Sequence, residues 1–151
     1  YLIDLYKETL ITSGNFSNFS VTNRSLRFIA KKYAEENGLN DVVLINENKQ
    51  IVETPNGTLY LIQEDKIFTA SLESGCQDFA IRNSFNNWLK KENISFQFLE
   101  KNISPFELQK SEEIFVLSIQ NGIQNITNYR KSNYEKEKSK KLFENFIKYN
   151  N

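Results

Sequence analysis

Apolar and polar positions follow two rhythms along the chain. From about Asn23 to Asn37, the residues Leu26, Ile29, Ala30, Tyr33 and Ala34 recur at the i, i+3, i+4, i+7 spacing of one helix face. Gly38 stands where a helix commonly ends on a left-handed residue, and Thr22 or Asn23 is placed to cap the start. A stripe of Ile81, Phe85, Trp88 and Leu89 predicts a helix from roughly Gln77 to Lys91. Another, of Leu142, Phe143, Phe146 and Ile147, predicts one from about Tyr134 to Tyr149. Shorter runs lie between. "DVVLIN" reads as a buried strand, "ENKQ" as a turn and "IVET" as the hairpin partner, while "GTLYLIQ" and "KIFTA" pair around "EDK". "ISFQFLEK" alternates like a strand, "EEIFVLSI" reads as a buried one, and "GIQNITNYRK" reads as an edge. In "SPFELQK", Ser104 as cap, Pro105 at the first helical position and Glu107 closing a capping box predict a short helix. Residues 1–16 read as a lead-in.

The order is helix, four strands, helix, strand, short helix, two strands, helix. It predicts one mixed α/β domain with helices packed around a curved sheet. A chain of 151 residues is long enough for a real core, since a domain of this size buries roughly 70% of its unfolded surface. Nineteen basic residues balance nineteen acidic ones, so no net field recruits nucleic acid or an anionic membrane. No apolar run approaches the roughly 20 residues that span a bilayer, and no signal-peptide pattern is present. The single cysteine, Cys76, excludes an internal disulfide and points to a reducing, cytoplasmic setting. With no histidine, the commonest general base and metal ligand is missing, and no metal site is expected. The chain also lacks methionine, so Tyr1 is not expected to be a translation start. Asn-x-Ser/Thr triplets begin at Asn15, Asn18, Asn23, Asn56, Asn93, Asn102 and Asn125, as an Asn-rich chain produces by chance.

The segments in their order say more than any one of them. "NDVVLINENKQIVETPNGTLYLIQEDKIFTASLESGCQDFAIRN" resembles the centre of the fold-type IV (class IV) pyridoxal-phosphate enzymes. That family includes branched-chain and D-amino-acid aminotransferases and aminodeoxychorismate lyase. Glu53, Thr69, Gly75, Cys76 and Arg82 stand at matching places, and "SEEIFVLSIQNGIQNI" is similar to the family's Ala-Asp-Glu-Val-Phe strand and the turn after it. The resemblance covers roughly Leu5 to Tyr149. It implies the larger, C-terminal domain of the D-amino-acid aminotransferase-like fold, with a curved, partly barrel-like mixed sheet. Residues 1–16 would then close an interdomain linker, residues 17–151 would form the cofactor-type domain, and the family's N-terminal domain would lie outside this sequence.

The resemblance also implies a site. The family's reactive lysine lies in a Ser-Asn-Leu-Lys-like stretch, followed in aminodeoxychorismate lyase-like members by an Asn-Arg pair. Here Ser17, Asn18 and Phe19 precede Ser20, and Asn23 and Arg24 follow, so Ser20 takes the lysine's place. A hydroxyl forms no stable imine and is a poor base near neutral pH. Lys31 and Lys32 lie more than about 10 Å along the chain by helical rise and are no substitute. Glu53 matches the carboxylate beside the pyridine nitrogen, which lets the ring act as an electron sink. By its local sequence alone, Glu53 reads as a solvated hairpin residue. The phosphate seat implied is the start of the second helix at Ala80 and Ile81, with Phe79 where relatives carry glycine, plus the turn at Ser118 and Ile119. Cys76 reads either as a nucleophile near a helix start or as packing, and packing fits a chain without histidine.

Two classes of function follow. One is a pyridoxal-phosphate-dependent transaminase or lyase acting on an amino-acid-type small molecule, working as a homodimer. The other is a relative without Schiff-base chemistry that keeps the fold as a binding or dimerisation module; it accounts for Ser20, Phe79 and Ile119 together.

Overall fold

A computed structural model of the chain describes residues 1–14, 16–19, 23–92 and 95–151. Ser20 and Thr22 lie outside the described residues. The chain opens with strand β1 (Leu2–Ile11) and helix α1 (Arg24–Glu36), then strands β2 (Asp41–Asn46), β3 (Ile51–Glu53), β4 (Thr58–Gln63) and β5 (Lys66–Ala70). After a 3-10 turn at Leu72–Ser74 come α2 (Ala80–Lys91), β6 (Gln97–Lys101), α3 (Phe106–Lys110) and β7 (Glu113–Ser118). Strands β8 (Gly122–Asn125), β9 (Asn128–Tyr129) and β10 (Ser132–Asn133) and helix α4 (Glu137–Tyr149) complete it.

The strands form two five-stranded sheets, ordered β10-β9-β1-β2-β3 and β6-β5-β4-β7-β8. Side chains two apart point to the same face of a strand, and this period sorts the core. Val43 and Ile45 of β2, Leu59 and Leu61 of β4, and Ile114 and Val116 of β7 share one cluster between the sheets. The alternate residues turn outward. Val42 and Leu44 meet Ala30 and Ala34 of α1, while Tyr60, Ile62, Phe115 and Leu117 meet Phe85, Trp88, Leu142 and Phe146 of α2 and α4. Phe85 lies edge-on to Tyr60 at 5.2 Å and to Phe146 at 5.1 Å. Each such pair adds about 0.5–1.5 kcal/mol beyond area burial. The expected mixed α/β fold with a curved sheet is present, as a curled half-barrel flanked by helices.

Two parallel crossovers organise this architecture. β1 pairs parallel with β2 across α1, and β5 pairs parallel with β6 across α2. A parallel pair needs a long connection, and each helix supplies it on the outer face of its own sheet. The supposed lead-in at residues 1–16 thus holds a ten-residue strand in the middle of a sheet. Its polar "KET" breaks the alternation where the register to β2 also shifts, between Tyr6 and Ile11.

Other expectations need correcting. Ile29 and Ile147 are exposed rather than inward, and Arg27 takes the buried place on α1. The second and last helices start later than predicted, at Ala80 and Glu137. No capping box forms at α3: the Glu107 carboxylate accepts from Gln63 Nε2 at 2.7 Å instead. The edge-like run "GIQNITNYRK" divides, giving β8 to one sheet and β9 to the other. Among the described residues, no helix is long and apolar enough to cross a membrane.

Candidate functional site

The connection from β1 to α1 and the connection from β5 to α2 meet at one end of the sheets. Asn18 joins them: its Nδ2 donates to the carbonyls of Leu72 and Cys76, both at 2.7 Å. The Asp78 N–H returns a bond to the Asn18 carbonyl at 3.0 Å. Asn46, at the end of β2, donates to the Ser74 carbonyl at 3.0 Å and braces the same loop. Gly75 turns that loop with φ +104°, and a Cβ there would sit 3.0 Å from Ile11 Cγ2. Both the backbone angle and the close approach call for glycine.

Glu53 ends β3 and faces this junction, buried to 1% exposure. Its Oε1 accepts from Arg27 Nε at 2.6 Å and stands in ion-pair contact with Arg27 Nη2. Its Oε2 accepts the Gln77 backbone N–H at 2.9 Å. Burial pushes the Glu53 carboxyl up, and the Arg27 charge and the Gln77 N–H pull it back. On balance the carboxyl stays raised, and the donors on its two oxygens are the partners its charged form takes. The reading of Glu53 as a solvated hairpin residue is therefore wrong.

Local sequence explains how Arg27 reaches it. Arg27, Ala30 and Ala34 form the inner stripe of α1. The two small alanines let the helix sit close to its sheet, so a long side chain one turn earlier extends under it. The apolar stripe of α1 does not announce Arg27; its i, i+3, i+7 relation to the two alanines is the signal the sequence carries. Arg24, by contrast, is exposed at the first position of α1. Asn23 precedes it at φ 58° with no side-chain cap bond, so the expected capping role is not filled there.

At α2, the cap position is Phe79 in extended backbone, and no side chain caps the helix. The amides of Ala80 and Ile81 therefore stay open, among the described residues, at the positive end of the helix dipole. Ala80 is exposed and Ile81 half-buried. Arg82 fixes this helix start from behind. It is fully buried, donating Nη2 to the Ala70 carbonyl at 2.9 Å and pairing with Glu100 at 3.2 Å.

The turn after β7 reaches the same end of the sheets. Gly57 lies so close to it that a Cβ would be 2.3 Å from the Leu117 carbonyl oxygen. Ser118 is buried and spends its Oγ on the Asn121 N–H at 3.2 Å, while Ile119 is 75% exposed. Cys76 is buried, and loss of solvent pushes its thiol up to about 11. It stays protonated near neutral pH, so packing is its role. No group of His, Cys, Asp and Glu with metal-binding geometry occurs among the described residues.

No curated protein sequence matches the chain. Solved structures do, over almost all of it. The 4-amino-4-deoxychorismate lyase of Pseudomonas aeruginosa superposes with a TM-score of 0.85 at 15% identity, covering 97% of this chain and 54% of that one. The branched-chain aminotransferase of Thermoproteus uzoniensis, solved with norvaline, gives 0.84 at 16% identity, covering 97% and 50%. The branched-chain amino acid aminotransferase of Thermobaculum terrenum, solved in its PLP-bound holo form, gives 0.82 at 14%, covering 99% and 50%. The chain thus spans about half the length of these structures. At the level of sequence, the family model for class IV amino-transferases matches residues 4–129. The chain belongs to the class IV aminotransferase family.

Proposed function

We propose that this chain is the larger domain of an aminotransferase or aminodeoxychorismate lyase-like protein that has lost Schiff-base chemistry and keeps the fold for binding or assembly. The observation that carries this reading is the state of Glu53. Pyridoxal phosphate asks for a carboxylate free to accept from its ring nitrogen. In this chain one Glu53 oxygen serves the Arg27 guanidinium and the other serves Gln77. The ring side of the site therefore does not fit the cofactor. Ser20 supports the same reading from sequence, as a hydroxyl residue in the place the family gives to its lysine. The turn at Ser118 and Ile119 adds to it, since Ser118 is engaged within its own turn and Ile119 offers no side-chain donor.

A second reading, an active enzyme on an amino-acid-type substrate, draws on one observation: the open amides of Ala80 and Ile81, which suit an anion such as a phosphate. In either reading the partner is a second copy of the chain together with the family's N-terminal domain, in the cytoplasm. The test is absorption of the full-length protein mixed with pyridoxal phosphate, at about 410–430 nm, where such imines absorb. No band is expected. A saturable band in the native protein overturns the proposal.

A further inference from the structure

Arg27 and Glu53 come from elements 26 positions apart and meet in a place almost closed to water, at 7% and 1% exposure. A guanidinium and a protonated ring nitrogen ask the same thing of a carboxylate, an anionic acceptor for an N–H. Here Oε1 already receives Nε and lies against Nη2. A second cation brought to this carboxylate would face the guanidinium at like charge, in a region where water screens little. An unprotonated ring nitrogen fares no better, because it would set its lone pair against the lone pair left on Oε2.

We propose that Arg27 excludes a pyridinium ring from this site, taking for itself the part of Glu53 that such a ring would need. The pair serves instead as an internal strut between α1, β3 and the connection into α2. This deepens the reading given above and rests on it. It also adds a distinct claim: position 20 is not the only obstacle to the cofactor, and restoring a lysine there is not sufficient.

The test uses pyridoxine 5′-phosphate, which keeps ring and phosphate but has no aldehyde and forms no imine with any lysine. Titrated into the full-length protein, it is expected to show no saturable binding up to about 1 mM. Arg27→Gln, which leaves Glu53 an acceptor, is expected to bind it about ten-fold more tightly or better. In parallel, Ser20→Lys alone is expected to give no imine band with pyridoxal phosphate, and Ser20→Lys with Arg27→Gln to give one. Native protein that binds pyridoxine phosphate saturably below about 1 mM overturns the proposal, and so does a full imine band from Ser20→Lys alone. Both of those arms leave Arg27 unchanged, so they decide the matter even where Arg27→Gln fails to fold. If Arg27→Gln gains the ring but the double variant forms no imine, the role of Arg27 stands. In that case it is the assignment of position 20 that fails.

Discussion

Glu53 and Glu113 are both buried almost completely, yet the protein holds them in different ways. Glu113 opens β7 and accepts the backbone N–H groups of Lys138 and Ser139, each at 2.8 Å, in the first turn of α4. Those partners are main-chain atoms that no substitution removes, and the helix dipole favours the charge. Among the described residues, Glu53 closes β3 with one main-chain partner, Gln77, and relies on the Arg27 side chain for the rest. One carboxylate is a helix cap with a single structural use. The other is half of a charge pair, and a change at either residue leaves its partner buried without that pairing.

Arg27→Ala should have the largest effect, because it strands a buried carboxylate. A loss of about 3–5 kcal/mol is expected, read from the shift in the urea unfolding midpoint. Replacing both partners, Arg27→Met with Glu53→Leu, should recover most of that loss, since no charge is left to desolvate. A double variant as unstable as the single would show that the pair is not coupled.

Asp41 sharpens the contrast as a third buried carboxylate, one without a cation against it among the described residues. It accepts from the Val42 N–H at 3.0 Å and the Tyr1 hydroxyl at 3.4 Å. Burial raises it from 3.8 to about 6 despite those bonds. Between these values the unfolded chain has released its proton and the native one has not. Stability should therefore fall by about 2–3 kcal/mol as pH rises from about 4 to 6, and level off above. Asp41→Asn should remove that slope from unfolding curves measured across the range. A slope that survives the substitution assigns it to another group. Glu113→Gln should have the smallest effect, about 1–2 kcal/mol, because the amide still accepts one of the two N–H groups. A loss as large as that of Arg27→Ala would erase the distinction between the two glutamates.

Much of the fold was legible because it follows period. β2, β4, β5 and β7 and the inner faces of α2 and α4 came from apolar spacing alone, and Phe85, Trp88 and Phe146 are as buried as their stripes predict. The failures share a cause. β1 hides because its polar stretch interrupts the alternation, and its pairing comes from β2 and β9, which no local pattern announces. Ile29 and Ile147 sit at the edge of their stripes, where one more residue's rotation turns a side chain to solvent. At the candidate site, the position of Glu53 is legible in the sequence and its environment is not. Its neutralising partner lies one helix away, and a charge that is buried only because another charge meets it leaves no trace in hydropathy.

The central place of β1 also bears on the order in which the protein folds. The Tyr1 carbonyl accepts the Thr127 N–H at 2.9 Å, across a separation of 126 positions. β2 can join β1 early, but its other edge waits for β9. On a translating ribosome, that edge stays unsatisfied until most of the described chain has emerged. During this interval β1 is an open template for strand addition, and Lys7 and Glu8 set charges along it. The same polar stretch that concealed the strand in the sequence thus guards the nascent chain against pairing with the wrong neighbour.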